Sequence, residues 1–168
     1  MSDFKLHPRL EADTAFVADW PLCRVLVMND ARYPWLILVP RREATELHDL
    51  NERDRAMLIE QIARTSEKLK TLTNAAKINV GALGNLVPQL HIHIVARNPG
   101  DAAWPGPVWG QGTRVPYAPE VLQDFVKELG TAIALSLFRR PVMQAEAASA
   151  LAGSKSQIVA ALHQAASA

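Results

Sequence analysis

Cysteine, net charge and long apolar runs are all scarce in this chain of 168 residues, and each scarcity excludes a class of protein. The single cysteine, Cys23, rules out an intramolecular disulfide framework and fits a reducing compartment. A formal net charge of +1 argues against a surface that coats nucleic acid. No apolar run reaches the roughly 18 residues of a membrane span, and the N-terminus has no apolar signal core. We therefore expect a cytoplasmic protein that has neither a membrane nor a nucleic acid as its partner.

The composition is that of a folded protein, because hydrophobic residues make up 49% of the chain and no repeat or disordered tract is present. Its length suits one domain with a modest core. Apolar runs bounded by turn residues predict strands over 24–28, 35–39 and 77–80, with a weaker strand around Phe16. The short polar turn between the strands at 24–28 and 35–39 predicts a hairpin.

Two helices are predicted from apolar residues at helical spacing. The first begins after Asn51, a residue type that caps helices, and continues for about five turns. The second begins at Pro119, since proline is tolerated in a first turn, and its apolar stripe stops before Pro141. The alanine-rich remainder is also predicted to be helical, with a break at Gly153 and a capping pattern over 154–157.

The stretch 87–97 alternates polar and apolar residues with a period of two, which predicts a strand with one face in the core. The residues expected to face the core are Leu90, Ile92 and Ile94, and those expected to face away from it are Gln89, His91 and His93. Side chains on one face of a strand lie about 6.6 Å apart, twice the rise per residue. The pattern therefore aligns an amide and two imidazoles on one rigid element.

Three interpretations of this polar row are open from the residues alone. It is a polar strand face that happens to hold two histidines, or half of a zinc site, or a catalytic row in which one imidazole attacks phosphorus while its neighbours stabilise charge. A zinc site needs at least one further ligand, and the other histidines, which are His7, His48 and His163, are remote in sequence. A glycine-bearing loop at 81–85 precedes the row, and its backbone amides could approach a phosphate closely.

The row and its flanks resemble the histidine triad (HIT) superfamily, whose signature is roughly Gly-Gln-Ser/Thr-Val-x-His-x-His-x-His and is often followed by arginine. The resembling stretch is LGNLVPQLHIHIVAR at 83–97, and looser matches in the same order extend over 24–110. The resemblance implies an α+β fold, in which a long helix and a C-terminal helical segment accompany a mainly antiparallel sheet of about five strands. It also implies a nucleotide-binding domain over 1–115, with a C-terminal helical extension over 116–168 packed on that domain.

Carried over position by position, the resemblance implies a nucleotide site. His91 takes the position of the nucleophilic central histidine, and His93 takes that of the third histidine. Ribose and phosphate contacts are assigned to four residues, which are Asn29, Asn79, Gly84 and Asn85.

Two residues depart from the family pattern. Gln89 stands where the first histidine belongs, and Leu86 stands where a serine or threonine hydroxyl is usual. Glutamine can donate and accept hydrogen bonds but cannot carry a proton near neutral pH, and leucine offers no donor at all. Because the nucleophile and the last histidine remain, we expect a catalytic site in which Gln89 and His93 hold the phosphate oxygens.

The resemblance therefore implies a nucleotide phosphohydrolase, or a nucleotidyl transferase, acting on a dinucleoside polyphosphate or a related phosphoanhydride or phosphoramidate. Its intermediate would be a nucleotidyl group on His91. The alternatives are a non-catalytic nucleotide-binding homodimer and a zinc-binding protein that uses His91 and His93. No metal or cofactor is expected for the chemistry, although a bound polyphosphate can carry Mg²⁺. A homodimer is expected, because an edge strand near the helix that starts at Asn51 would otherwise be exposed.

Overall fold

The structure of the chain is a computed structural model that describes residues 4–137. Its α-helices and strands, in chain order, are α1 (Pro8–Asp13), β1 (Thr14–Asp19), β2 (Cys23–Met28), β3 (Trp35–Pro40), α2 (Glu52–Thr73), β4 (Lys77–Ala82), β5 (Ile92–Arg97) and α3 (Pro119–Leu137). The predictions for the alanine-rich remainder, including the break at Gly153 and the capping pattern over 154–157, fall outside the described residues.

The five strands form one sheet in the order β1-β2-β3-β5-β4, and every neighbouring pair is antiparallel. The hairpin of β2 and β3 is confirmed, with Leu26 paired to Ile37. The weak strand predicted around Phe16 is also confirmed as β1, which contains a register irregularity between Phe16 and Ala18. The α+β class and the antiparallel architecture are thus as predicted.

Both predicted helices start where their capping signals place them. The Asn51 side chain accepts a hydrogen bond from the Asp54 backbone N–H at 2.8 Å, which satisfies one of the unpaired donors of the first turn of α2. At the other end, Asn74 adopts a left-handed conformation with φ of 51° and stops the helix. Helix α3 begins at Pro119 and packs against β1 and α2. No helix within residues 4–137 is long and apolar enough to cross a membrane.

The sheet has two buried faces. One, here called the helix face, carries Ile92 and Ile94 and is covered by α2 and α3 through residues that include Leu58, Leu69, Phe125, Leu129 and Ile133. The other, here called the histidine face, is the side on which Trp35, Ile37, His93 and Val95 point. It is covered by residues 4–10, which include the start of α1, and by the irregular segment 103–109.

The histidine strand is shorter than predicted. β5 begins at Ile92, so residues 83–91 form a loop between β4 and β5. Pro88 cannot donate a ladder hydrogen bond, and the Leu90 N–H donates instead to the Ala44 carbonyl oxygen at 2.9 Å. Leu90 keeps its predicted place in the helix-face core. Gln89 and His91 therefore lie in the approach to the strand rather than within it.

Candidate active site

The two histidines of the row lie side by side in an enclosed position. The centroids of the His91 and His93 rings are 4.8 Å apart, and the ring planes meet at 78°. Only 5% of the His91 surface and 6% of the His93 surface are exposed. Both imidazoles are therefore shielded from solvent.

His91 is held in the tautomer that a nucleophile needs. Its Nδ1 lies 2.7 Å from the backbone carbonyl oxygen of Gln89. A carbonyl oxygen can only accept, so Nδ1 carries the hydrogen and Nε2 of the neutral ring carries the lone pair. Burial lowers the pKa of His91. The hydrogen bond to Gln89 raises this pKa, and a positive charge on His7 lowers it. The ring is therefore neutral at pH 7, with Nε2 available for attack.

His93 is held in the complementary tautomer. Its Nδ1 accepts a hydrogen bond from the Trp35 indole Nε1–H at 3.0 Å, so the neutral ring carries its hydrogen on Nε2. Burial, followed by the charge on His91, lowers the pKa of His93 to about 3. At pH 7 the pair thus offers an unprotonated nitrogen on His91 and an N–H donor on His93.

Aromatic rings form the walls around His93. The Trp35 ring lies 5.3 Å from the His93 ring, and the Trp109 ring lies 5.8 Å from it, each edge to face. Gly81 pairs with His93 across β4 and β5. A Cβ atom at Gly81 would stand 2.9 Å from the Trp109 ring, closer than real Cβ contacts, so the glycine leaves the room that this indole occupies.

The Gln89 side chain is directed at the N-terminal segment. Its Oε1 accepts a hydrogen bond from the His7 backbone N–H at 2.9 Å, and its Nε2 donates to the Lys5 carbonyl oxygen at 2.9 Å. These bonds join residues that are 82 and 84 positions apart in the chain. They attach residues 4–10 beside the histidine pair. The expected contact between Gln89 and phosphate oxygens remains a prediction.

The two asparagines assigned to nucleotide binding both accept hydrogen bonds within the protein. Asn29 Oδ1 accepts from the Tyr117 backbone N–H at 2.9 Å, and Asn79 Oδ1 accepts from the Arg97 guanidinium at 2.8 Å. Asn79 pairs with Val95, which places it on the histidine face. Arg97 is 1% exposed and also forms a two-pronged ion pair with Asp101. Arg97 thus fixes Asn79 and the turn that follows β5.

The remaining assigned residues lie on the surface. Gly84 and Asn85 are exposed in the loop of residues 83–91, as is Leu86, which is 73% exposed. Their backbone amides are therefore accessible, and their contact with phosphate remains a prediction. Because Leu86 is exposed, it does not replace the usual hydroxyl residue in order to fill the core.

A metal site on the histidine pair receives no support from the neighbouring side chains. Within residues 4–137, no group of three or more His, Cys, Asp or Glu residues is arranged to hold a metal ion. The Nδ1 atoms of His91 and His93 are both already engaged in hydrogen bonds. The zinc interpretation would therefore need ligands beyond those that the described residues bring together.

Sequence reasoning did not identify Trp35 and Trp109 as the rings beside His93, or His7 as a backbone partner of Gln89. β3 is apolar at every position, so its sequence does not reveal which of its side chains face the histidines. Pairing with β5 sets Trp35 opposite Val95 and Ile37 opposite His93, and that register comes from non-local contacts. His7 and Trp109 come from irregular segments that carry no periodic signal.

The chain matches one protein family and two curated relatives. Residues 9–100 match the HIT domain family, which is more than half of the chain. The chain is 30% identical over 109 residues to an Ap4A phosphorylase of Mycobacterium tuberculosis; this match covers 59% of the chain and 54% of the relative. The chain thus spans about half the length of the curated relatives that it matches.

Solved structures resemble the chain over nearly their full length. A histidine triad protein from Bradyrhizobium japonicum is 51% identical, with a TM-score of 0.73, and the match covers 75% of this chain and 95% of that one. A histidine triad (HIT) protein from Sinorhizobium meliloti 1021 is 45% identical, with a TM-score of 0.75, and the match covers 77% and 96%. The five-stranded sheet with its long helix and C-terminal helix is therefore an architecture shared with these proteins.

Proposed function

The chain belongs to the HIT domain family, and on that basis we propose that it is a nucleotide phosphohydrolase that works through a nucleotidyl group on His91. The observation that carries this proposal is the hydrogen bond from His91 Nδ1 to the Gln89 carbonyl oxygen. That bond leaves Nε2 with its lone pair in a ring that burial keeps neutral, as its lowered pKa indicates. Nucleophilic catalysis by imidazole requires this protonation state.

The reaction has two steps. His91 Nε2 attacks the α-phosphorus and forms a P–N bond, while the P–O bond to the leaving group breaks and the leaving oxygen keeps the electron pair. Water then attacks the same phosphorus and releases one proton to the solvent, the P–N bond breaks, and the neutral imidazole is restored. His93 Nε2–H donates to a phosphate oxygen on which charge develops. Splitting one difficult displacement into two easier ones is the advantage of a covalent intermediate.

The other assigned residues bind the nucleotide. Asn29 contacts the ribose, Asn79 lies near the phosphates, and the accessible backbone amides of Gly84 and Asn85 donate to phosphate oxygens. The Gln89 side chain holds the N-terminal segment beside His91 through its hydrogen bonds to the backbone of Lys5 and His7. In this proposal the chemistry requires no metal or cofactor, although a polyphosphate substrate can carry Mg²⁺.

A dinucleoside polyphosphate is the proposed substrate, with other phosphoanhydrides and phosphoramidates as further members of the class. Support comes from the curated relatives, which are named for acting on Ap4A. A phosphorylase and a hydrolase of this kind share the first step and differ in the acceptor, which is inorganic phosphate in one and water in the other. The enclosed histidine pair fits both, so the acceptor is decided by experiment.

The test is a rapid-quench reaction of the purified protein with Ap4A labelled in its adenosine. We expect an acid-labile adenylyl group on wild-type protein and none on a His91→Ala variant. Release of AMP without added phosphate indicates hydrolysis, whereas ADP formed only with added phosphate indicates phosphorolysis. A nucleoside phosphoramidate is run in parallel as a second substrate. Binding of both nucleotides without an adduct or product would contradict the proposal and favour a non-catalytic nucleotide-binding protein.

We further propose that the protein is a homodimer formed through the edge of the sheet at β4. β4 is the terminal strand on that side, and its Val80 side chain is 47% exposed. The adjoining helix α2 exposes Ile59 by 66%. An open strand edge with exposed apolar side chains is normally paired or covered. Light scattering at micromolar concentration should give twice the monomer mass. A monomer mass would contradict the proposed homodimer.

A further inference from the structure

The N-terminal segment packs directly over the face of the sheet that holds the histidine pair. Leu10 is buried in the same cluster as Trp35 and Val95, and Phe4 and Leu6 pack against that cluster. His7 lies between Leu6 and Leu10 in the chain, so the packing of its neighbours brings it to the histidine face. It is half-buried there.

Gln89 anchors this segment at the position of His7. Its side chain forms two hydrogen bonds with the backbone of this segment. It accepts one from the His7 N–H and donates one to the Lys5 carbonyl oxygen. The carbonyl oxygen of the same glutamine holds His91 Nδ1 at 2.7 Å. One residue therefore links the backbone of His7 to the ring of the nucleophile. His7 also acts on His91 through charge, because a protonated His7 lowers the pKa of His91.

The tautomer of His7 is set by its place at the start of α1. Its Nδ1 accepts a hydrogen bond from the Arg9 backbone N–H at 3.2 Å, so the neutral ring carries its hydrogen on Nε2. His7 thus presents an N–H donor, as His93 does. No hydrogen bond among the described residues uses the His7 Nε2–H.

We propose that His7 is the third imidazole of the site, whose Nε2–H donates a hydrogen bond to a non-bridging oxygen of the phosphate that His91 attacks. The inference rests on the proposed function. Gln89, at the position of the first triad histidine, is then a positioning residue that fixes the segment carrying this imidazole. The third ring comes from a part of the chain 84 residues before the nucleophile, which no motif spacing indicates.

The size of the effect follows from the role. Removing one donor to a developing oxyanion typically lowers kcat by about 10²- to 10³-fold. His7 is only half-buried, and water can replace part of its contribution, so we expect a loss of about 10- to 100-fold. The loss should fall on the rate of adenylyl transfer to His91 more than on nucleotide affinity, because the oxygen gains charge only as the reaction proceeds.

His7→Asn is the sharpest variant, because it separates the two roles that this residue can have. Asparagine is a preferred capping residue, so its side-chain oxygen can still accept from the Arg9 N–H, but it is too short to reach the phosphate as histidine does. His7→Ala removes both functions. His48→Asn, at a histidine whose side chain is 84% exposed, is the matched control.

The measurement is the single-turnover rate of adenylyl transfer from Ap4A to His91, at a temperature where all variants are folded by circular dichroism. We expect His7→Asn to keep the wild-type Tm and to lose about as much rate as His7→Ala, with His48→Asn unchanged. A His7→Asn rate equal to that of the wild type would overturn the inference and leave His7 as a cap, while the proposed function would stand. A wild-type protein that forms no adduct would overturn both.

Discussion

The six residues of β5 point alternately to two faces of the sheet, and the surroundings of the two faces differ. On the helix face, Ile92 and Ile94 lie in an apolar cluster that also contains residues of α2 and α3. On the histidine face, His93 and Arg97 are buried with dedicated hydrogen-bond partners, and the cover consists of residues 4–10 and the irregular segment 103–109. The first face stabilises the fold by burial of apolar area, and the second holds polar groups in fixed protonation states.

One face of a single strand therefore contributes mainly to the stability of the fold, and the other holds the groups proposed for the chemistry. Alternation with a period of two allows neighbouring residues to serve the two faces independently. A change on one face should therefore alter one property and leave the other nearly intact.

The largest effect is expected for His91→Ala on the histidine face. Turnover should fall by roughly 10³-fold or more, because the attacking nitrogen is removed. Nucleotide binding should stay within about tenfold of the wild-type affinity, since most ground-state contacts come from other residues. Turnover with Ap4A and the dissociation constant of a non-hydrolysable analogue measure the two quantities. A variant that keeps most of its activity would show that His91 is not the nucleophile.

The opposite result is expected for Ile94→Ala on the helix face. Ile94 is fully buried, so this truncation should lower the free energy of unfolding by about 2–5 kcal/mol. The adenylyl-transfer rate per folded molecule should change by less than about threefold, since the side chain points away from the histidines. Urea unfolding gives the first quantity, and rates normalised to the amount of adduct give the second. A tenfold loss in the normalised rate would break the separation of the two faces.

The helix face could be predicted from the sequence, and the histidine face only in part. Apolar periodicity and capping residues are local signals, so the starts of α2 and α3 and the positions of β2 and β3 follow from them. The pair His91 and His93 also follows from a local pattern. Their surroundings do not, because the covering segments and the β3–β5 register depend on contacts between distant parts of the chain.

A medium effect on stability is expected from pH, and its main source should be the histidine face. The pKa of His93 is lowered from 6.5 to about 3 on folding, so between these values the unfolded chain binds a proton that the folded protein does not. Stability should therefore be lost as the pH falls below about 6.5, by about 2 kcal/mol at pH 5 relative to pH 7.5 for this residue. His91, whose pKa is also lowered, acts in the same direction.

The measurement is urea unfolding at pH 7.5 and pH 5, where carboxylates remain largely ionised. His93→Gln keeps an acceptor for the Trp35 indole and removes the titrating group, so its stability should change less between the two pH values. Ile94→Ala serves as the control, since it is less stable at both pH values but should show the full wild-type difference. Equal pH dependence in His93→Gln and the wild type would show that His93 is not held neutral by burial.

The smallest effect is expected at Gln89, which connects the histidine pair to the segment that covers it. Gln89→Ala removes two hydrogen bonds to backbone groups, each worth about 0.5–1.5 kcal/mol, and loosens residues 4–10. Gln89→His can restore one of them and should leave the fold intact. Its activity should differ from that of the wild type by less than about 10²-fold, the low end of a general acid–base contribution, and Gln89→Ala should lose more. Rates measured across pH 5 to 9 compare the variants under conditions in which an added imidazole changes its charge. If Gln89→Ala matches the wild type throughout, the segment needs no anchor, and the histidine face is organised by apolar packing in the same way as the helix face.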